Sequence, residues 1–141
     1  MAERRGGVSR ETTALARASF ERCSAKSDFL QAFYGNFFAV CPPAKPLFAK
    51  TDFEKQIKLL KHAIGLLLSF PGQPRTEPGV LSRVAERHSR RDLNIEPKFY
   101  PFFIDALVQT VRQFDAQCTP AVEAAWRATL VEGVTYMQSR Y

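Results

Sequence analysis

His62 and His88 are the only imidazoles in this 141-residue sequence. Imidazole is the side chain that both exchanges protons near neutral pH and ligates transition metals. Neither histidine has neighbours that would complete a metal site. Cys23, Cys41 and Cys118 are odd in number and contain no CxxC pair, and no carboxylate run has calcium-loop spacing, so zinc and calcium centres are not indicated. A metal held by one of these histidines has to arrive inside a prosthetic group, and without a CxxCH pattern that group is not covalently attached. The cysteines read as buried or free thiols rather than a disulfide framework.

His88 follows Leu81, Val84 and Ala85, which are apolar at helical steps, and precedes the polar run Ser89-Arg90-Arg91-Asp92. It therefore sits near the C-terminal end of a short helix. Spacing alone fits equally a surface histidine whose positive charge complements the helix dipole. His62 lies six residues after Gln56, and six steps of about 100° turn it to another side of the same helix. Tyr34 on residue type fits a core aromatic with a bonded hydroxyl, and Gln56 a solvent-facing helix residue.

The elements that position these residues are marked by Pro, Gly, Ser and Thr between segments of helical apolar spacing. A first helix is expected from about Ser9, as cap, to Cys23. A second begins near Ser27, carries Phe29, Leu30, Phe33, Tyr34, Phe37 and Phe38, and stops before Pro42-Pro43. Thr51 with Glu54 has the spacing of a capping box for a long helix up to Pro71-Gly72, and its apolar set, Leu59 included, is broad enough for burial on more than one side. A loop is expected from Gln73 to Pro78, then the short segment ending at His88. Pro97 and Thr119-Pro120 start the last two helices, each proline standing where its missing N–H would have had no partner. The expectation is an all-α chain, with a flexible N-terminus over residues 1–8 and one domain over 9–141.

Composition agrees with a packed domain: 45% of residues are hydrophobic and 24% charged, with twelve Phe. The longest apolar stretch, Ala63 to Phe70, is far below the roughly 20 residues of a membrane span. The first seven residues have charges but no apolar run behind them, so no secretory signal is read and a cytoplasmic location is expected. The net charge of +6 is compatible with an acidic partner or an anionic ligand. Arg83, Arg87, Arg90 and Arg91 cluster around His88, where they could pair with an anionic group, dock an acidic redox partner or form a solvated face. Nucleic acid is not expected as a partner, because no helix-turn-helix signature is present and the aromatics are spaced as core faces.

Phe33-Tyr34, Pro46-Leu47-Phe48, Gln56, Arg87-His88, Ile95-Glu96-Pro97 with Tyr100, and Ala125-Trp126 stand in an order and at intervals that resemble the flavohaemoglobin and single-domain bacterial globin family. The resemblance covers nearly the whole chain. It implies a globin fold of about six to eight helices enclosing a haem pocket, with non-covalent haem b as cofactor. It implies that His88 ligates the iron through a neutral nitrogen and that Phe48 packs flat on the porphyrin. Tyr34 and Gln56 would then donate hydrogen bonds to dioxygen on the open side. Leu60 would wall the gas pocket, Val84, Ile95 and Phe103 would join the haem envelope with Phe37, Ile64 and Leu107 as further candidates, and Arg87 would meet a propionate.

Tyr100 matches the family's proximal tyrosine, which acts with a glutamate of the last helix to orient the proximal histidine and raise its basicity. Here the matching position falls at about Tyr141, and Glu132 lies two or three turns too early, so that triad is incomplete. No flavin- or nicotinamide-binding segment follows the last helix, so conversion of nitric oxide to nitrate would need an external reductase. The expected function is reversible binding of dioxygen, with nitric oxide and carbon monoxide as further ligands and nitric oxide dioxygenation as a possible activity. The alternatives are a haem-based gas sensor and, from a different class, a cofactor-free helical interaction module.

Overall fold

The computed structural model describes residues 8–73 and 79–141. Most of the expected N-terminal tail and of the loop before Gly79 falls outside these. At Val8, the one tail residue described, the backbone N–H donates to Glu132 Oε2 at 2.9 Å.

Among the described residues there are six α-helices and no strand. Helix α1 (Arg10–Ser24) is capped as expected by Ser9, whose hydroxyl accepts from Thr12 N–H at 3.1 Å. Helix α2 (Phe29–Val40) buries Phe29, Leu30, Phe33, Tyr34 and Phe37, and Cys41-Pro42-Pro43 turns the chain into a 3₁₀ segment over Pro42–Phe48. Helix α3 (Phe53–Ser69) is capped by Asp52 rather than Thr51. The Asp52 carboxylate accepts from Glu54 N–H at 3.1 Å and Lys55 N–H at 3.4 Å, and a charged acceptor serves the first-turn donors better than a hydroxyl. Helix α4 (Ser82–His88) follows, then a 3₁₀ turn over Pro97–Phe99 into α5 (Tyr100–Phe114). Thr119 caps α6 (Pro120–Ser139), accepting from Val122 N–H at 3.2 Å.

Helix α6 is the hub. It packs on α1, α3, α4 and α5, while α2 lies mainly against α5. Helices α3 and α6 approach closely at Gly133, where a Cβ would stand 2.6 Å from Leu67 Cδ2 and 3.0 Å from Leu81 Cδ1. A buried polar chain ties the other side. Trp126 Nε1 donates to Ser19 Oγ at 2.9 Å, and Ser19 donates to Asp115 Oδ2 at 2.6 Å. Arg22 grips the same carboxylate through Nε and Nη2 at 2.7 and 2.8 Å. This links α1, the end of α5 and α6, and leaves Asp115, a buried carboxylate, fully paired.

The broad burial expected of α3 holds only in part. Leu60, Ile64, Leu67 and Leu68 are buried, but Leu59 is 63% exposed, because among the described residues no helix covers its side chain. All three cysteines are free thiols, Cys23 and Cys41 buried.

Candidate functional site

One apolar cavity of about 120 Å³ brings together the residues singled out by their chemistry. Helix α2 contributes Tyr34 and Phe37, the 3₁₀ segment Phe48, helix α3 Gln56 and Leu60, helix α4 Val84 and His88, and α5 Tyr100 and Phe103, with Ile95 entering from the loop between α4 and α5.

On one side Gln56 Nε2 donates to Tyr34 Oη at 3.1 Å. Since that bond uses the phenol oxygen as acceptor, the phenol keeps its own proton, which has no acceptor among the described residues. Tyr34 is buried, and burial pushes its pKa up to about 12 against the opposing pull of the Gln56 hydrogen bond. It therefore stays a neutral donor. Aromatic rings enclose it: Phe48 and Phe53 present edge contacts at 5.5 and 5.2 Å, and Phe33 another at 5.2 Å.

On the other side His88 Nδ1 lies 2.8 Å from the Val84 carbonyl, one helical turn back. A carbonyl only accepts, so Nδ1 carries the proton and Nε2 keeps a lone pair with no protein partner among the described residues. Burial holds the imidazole pKa below its usual value, opposed by the Val84 bond and reinforced by nearby Arg87. The ring is thus neutral at pH 7, the form that ligates metal. Helix α4 ends here because the chain folds back: Leu93 N–H bonds Arg87 O at 2.9 Å and Ile95 N–H bonds His88 O at 2.9 Å. Asn94, with φ 55°, makes the turn, and a left-handed residue of this kind is tolerated by Asn better than by most. That turn delivers Ile95 to the cavity.

Four residues sit differently from expectation. Tyr100 lines the cavity and burial raises its pKa to about 12, but its hydroxyl does not bond His88, whose Nδ1 is taken by Val84. Arg87 is outside the cavity wall; its side chain is 66% exposed and pairs with Asp92 at 3.1 Å, because the helical step from His88 turns it outward. Ile64 and Leu107 are buried in the core without reaching the cavity. Glu132, too early in α6 for the proximal side, bonds Val8 N–H instead, and Tyr141, at the matching position, bonds Asn94 through its hydroxyl. His62 is exposed and away from the cavity. The wall also contains Phe99, which sequence reasoning missed: within Lys98-Phe99-Tyr100-Pro101-Phe102-Phe103 the aromatics are too crowded for periodicity to choose among them.

The donor set fits a haem group. A neutral imidazole with a free nitrogen, an aromatic and aliphatic wall, and few polar atoms are what an apolar macrocycle with a central metal needs. The volume is narrow beside the roughly 300 Å³ at the low end for ligand pockets, so seating such a group requires side chains to move. Leu47, on the wall yet 46% exposed, marks the edge with most freedom to do so.

This all-helical fold and its cavity define a globin, and the family comparison agrees: the Globin family profile matches residues 31–137, so the chain belongs to the globin family. Among solved structures it is similar to protein PA3967 of Pseudomonas aeruginosa PAO1, a bacterial protein described as structurally highly homologous to a human haemoglobin. The identity is 30% and the TM-score 0.86, over 92% of this chain and 98% of that one. A comparison with curated proteins finds no match. Among the described residues, no helix is long and apolar enough to cross a membrane.

Proposed function

We propose that this globin holds non-covalent haem b through His88 Nε2 and reversibly binds dioxygen, nitric oxide and carbon monoxide in the part of the cavity that Tyr34 and Gln56 share. The observation that carries the reading is a pairing within one apolar cavity: a neutral imidazole with an unused lone pair, and a phenol whose proton is left over after Gln56 has donated to its oxygen. When bound, haem supplies an iron centre that ligates diatomic gases and exchanges one electron.

The chain's own residues do the rest. His88, its Nδ1–H held by Val84, presents Nε2 in a fixed tautomer. Tyr34 offers a neutral O–H to a polarised gas ligand, and Gln56 fixes where that O–H points. Phe48, Leu60, Val84, Ile95 and Phe103 exclude water from the cavity, which strengthens those hydrogen bonds. Reversible binding is the primary role in this proposal. Conversion of nitric oxide to nitrate is a secondary one that depends on an external reductase, and a cytoplasmic location belongs to the same reading.

The test is to mix the purified chain with haem b and record the visible spectrum after dithionite and carbon monoxide. A strong Soret band that moves to the position of a histidine-ligated carbon monoxide complex supports the proposal. A chain that takes up no haem overturns it and favours a cofactor-free interaction module.

A further inference from the structure

Helix α4 is seven residues long, and its last carbonyls are satisfied by the chain folding back on it. Leu93 N–H donates to Arg87 O at 2.9 Å, Asn94 N–H to Ser89 O at 2.8 Å and Ile95 N–H to His88 O at 2.9 Å. The backbone around His88 is therefore held by residues 93–95, with Asn94 at φ 55° as the pivot. A displacement of that turn passes through these bonds to the imidazole. A residue other than glycine keeps a left-handed conformation where its surroundings fix it, so the contacts of Asn94 decide how firmly the turn is set.

Those contacts come from the end of α6. Beyond the adjoining helices α4 and α5, each hydrogen bond that ties residues 89–97 to the rest of the chain involves, among the described residues, Gln138 or Tyr141. Arg90 donates to Tyr141 O twice, from its backbone N–H at 3.1 Å and from Nε at 3.3 Å. Its guanidinium also lies over the Tyr141 ring, 4.7 Å from the centroid. The Tyr141 hydroxyl donates to Asn94 Oδ1, and Gln138 Nε2 donates to Pro97 O at 3.2 Å. Tyr141 thus bridges both arms of the turn, at Arg90 just after His88 and at Asn94 just before Ile95.

We infer that Tyr141 is a positioning residue for His88: by bridging Arg90 and Asn94 it fixes the turn that closes α4, and with it the direction in which Nε2 faces the cavity. This rests on the reading of His88 as iron ligand given above. Tyr141 is not part of the cavity wall. It acts through the backbone of the turn and not on the imidazole, whose Nδ1 is already taken by Val84. The same turn delivers Ile95 to the wall, so loosening it also loosens that side of the cavity.

Four variants of the haem-loaded full chain test this. Tyr141→Phe removes the bond to Asn94 but keeps the ring beneath Arg90, and Tyr141→Ala removes both. Asn94→Gly retains the left-handed turn and deletes the acceptor. Thr119→Ala removes the cap at the far end of α6 and controls for a general loss of stability. Each ferrous protein is read by resonance Raman at the iron–histidine stretch, and haem loss is followed by transfer to an excess of haem-free acceptor globin. Tyr141→Phe should shift or broaden that band and speed haem loss about threefold to tenfold, the range for losing one hydrogen bond of ordinary net strength. Tyr141→Ala should do more, and Thr119→Ala should leave the band unmoved. Because Asn94→Gly cuts the same bond, adding it to Tyr141→Phe should make the protein no worse than the worse single variant. An unmoved band in Tyr141→Ala, an equal shift in Thr119→Ala, or additive losses in the double variant would each overturn the inference. A chain that takes up no haem fails the function proposed above instead. Amide exchange at Asn94 and Ile95 in the purified chain, expected to be faster in Tyr141→Phe than in wild type, then still decides whether Tyr141 holds the turn, and equal exchange overturns it.

Discussion

The Gln56 side chain donates to the Tyr34 hydroxyl oxygen at 3.1 Å, joining the start of α3 to the middle of α2 at the cavity. The direction of that bond matters more than its length. Because the amide supplies the proton, the phenol proton is free to be given away, and the neutral phenol that burial enforces keeps it available across the physiological pH range.

Tyr34→Phe removes this donor and leaves the ring. Losing one hydrogen bond of about 1.4 kcal/mol corresponds to about tenfold in an equilibrium constant, so dioxygen dissociation from the variant should be about tenfold faster by stopped-flow displacement with carbon monoxide. Gln56→Leu should have a smaller effect, because it frees the phenol to rotate without removing it. An unchanged dissociation rate in Tyr34→Phe would take Tyr34 out of the gas site.

Tyr100 gives a prediction that differs from the one its family match carries. The His88 Nδ1 proton is already held by the Val84 carbonyl at 2.8 Å. Tyr100→Phe should therefore leave the iron–histidine stretching vibration of the ferrous protein, read by resonance Raman, unmoved. A clear fall in that frequency would show that Tyr100 orients the imidazole after all.

Asp115 anchors the helical frame that surrounds the site. Arg22, followed by Ser19 and the Gln117 backbone, holds its carboxyl well below the ordinary value, to about 2, against the opposing effect of burial. A depressed folded-state pKa means that the stability it contributes is present above the unfolded carboxylate range near pH 4 and is lost as pH falls towards about 2. Asp115→Asn should flatten the stability profile across that window in urea titrations. Asp115→Ala should cost about 2–4 kcal/mol at pH 7, since it leaves Ser19 and Arg22 without their acceptor. A variant as stable as wild type at pH 7 would contradict the network's structural role.

Much of this arrangement is legible in the residues alone. Helix starts at Ser9 and Thr119 follow from local capping chemistry, and the candidate site residues other than Arg87, Ile64 and Leu107 share one cavity because their order along the chain encodes the fold. What was not legible depends on tertiary choices. Thr51 and Asp52 are both competent caps, and only the path of the backbone out of the 3₁₀ segment selects Asp52. Leu59 has the periodicity of a buried residue, yet burial requires a helix over it and none among the described residues supplies that cover. Arg87 is adjacent in sequence to a cavity residue, and one step of an α-helix turns it about 100° away. Phe99 is one of four aromatics within five positions, and the 3₁₀ turn at Pro97 decides which of them faces inward.

The most direct measurement compares wild type with His88→Gly, each mixed with haem b and followed by its Soret band before and after adding free imidazole. If His88 is the iron ligand, the variant should lose most of its haem or show a five-coordinate spectrum without nitrogen ligation, and imidazole should restore the wild-type ferrous carbon monoxide spectrum. A variant that binds haem with an unchanged histidine-ligated spectrum, and to which imidazole makes no difference, would contradict the assignment of His88.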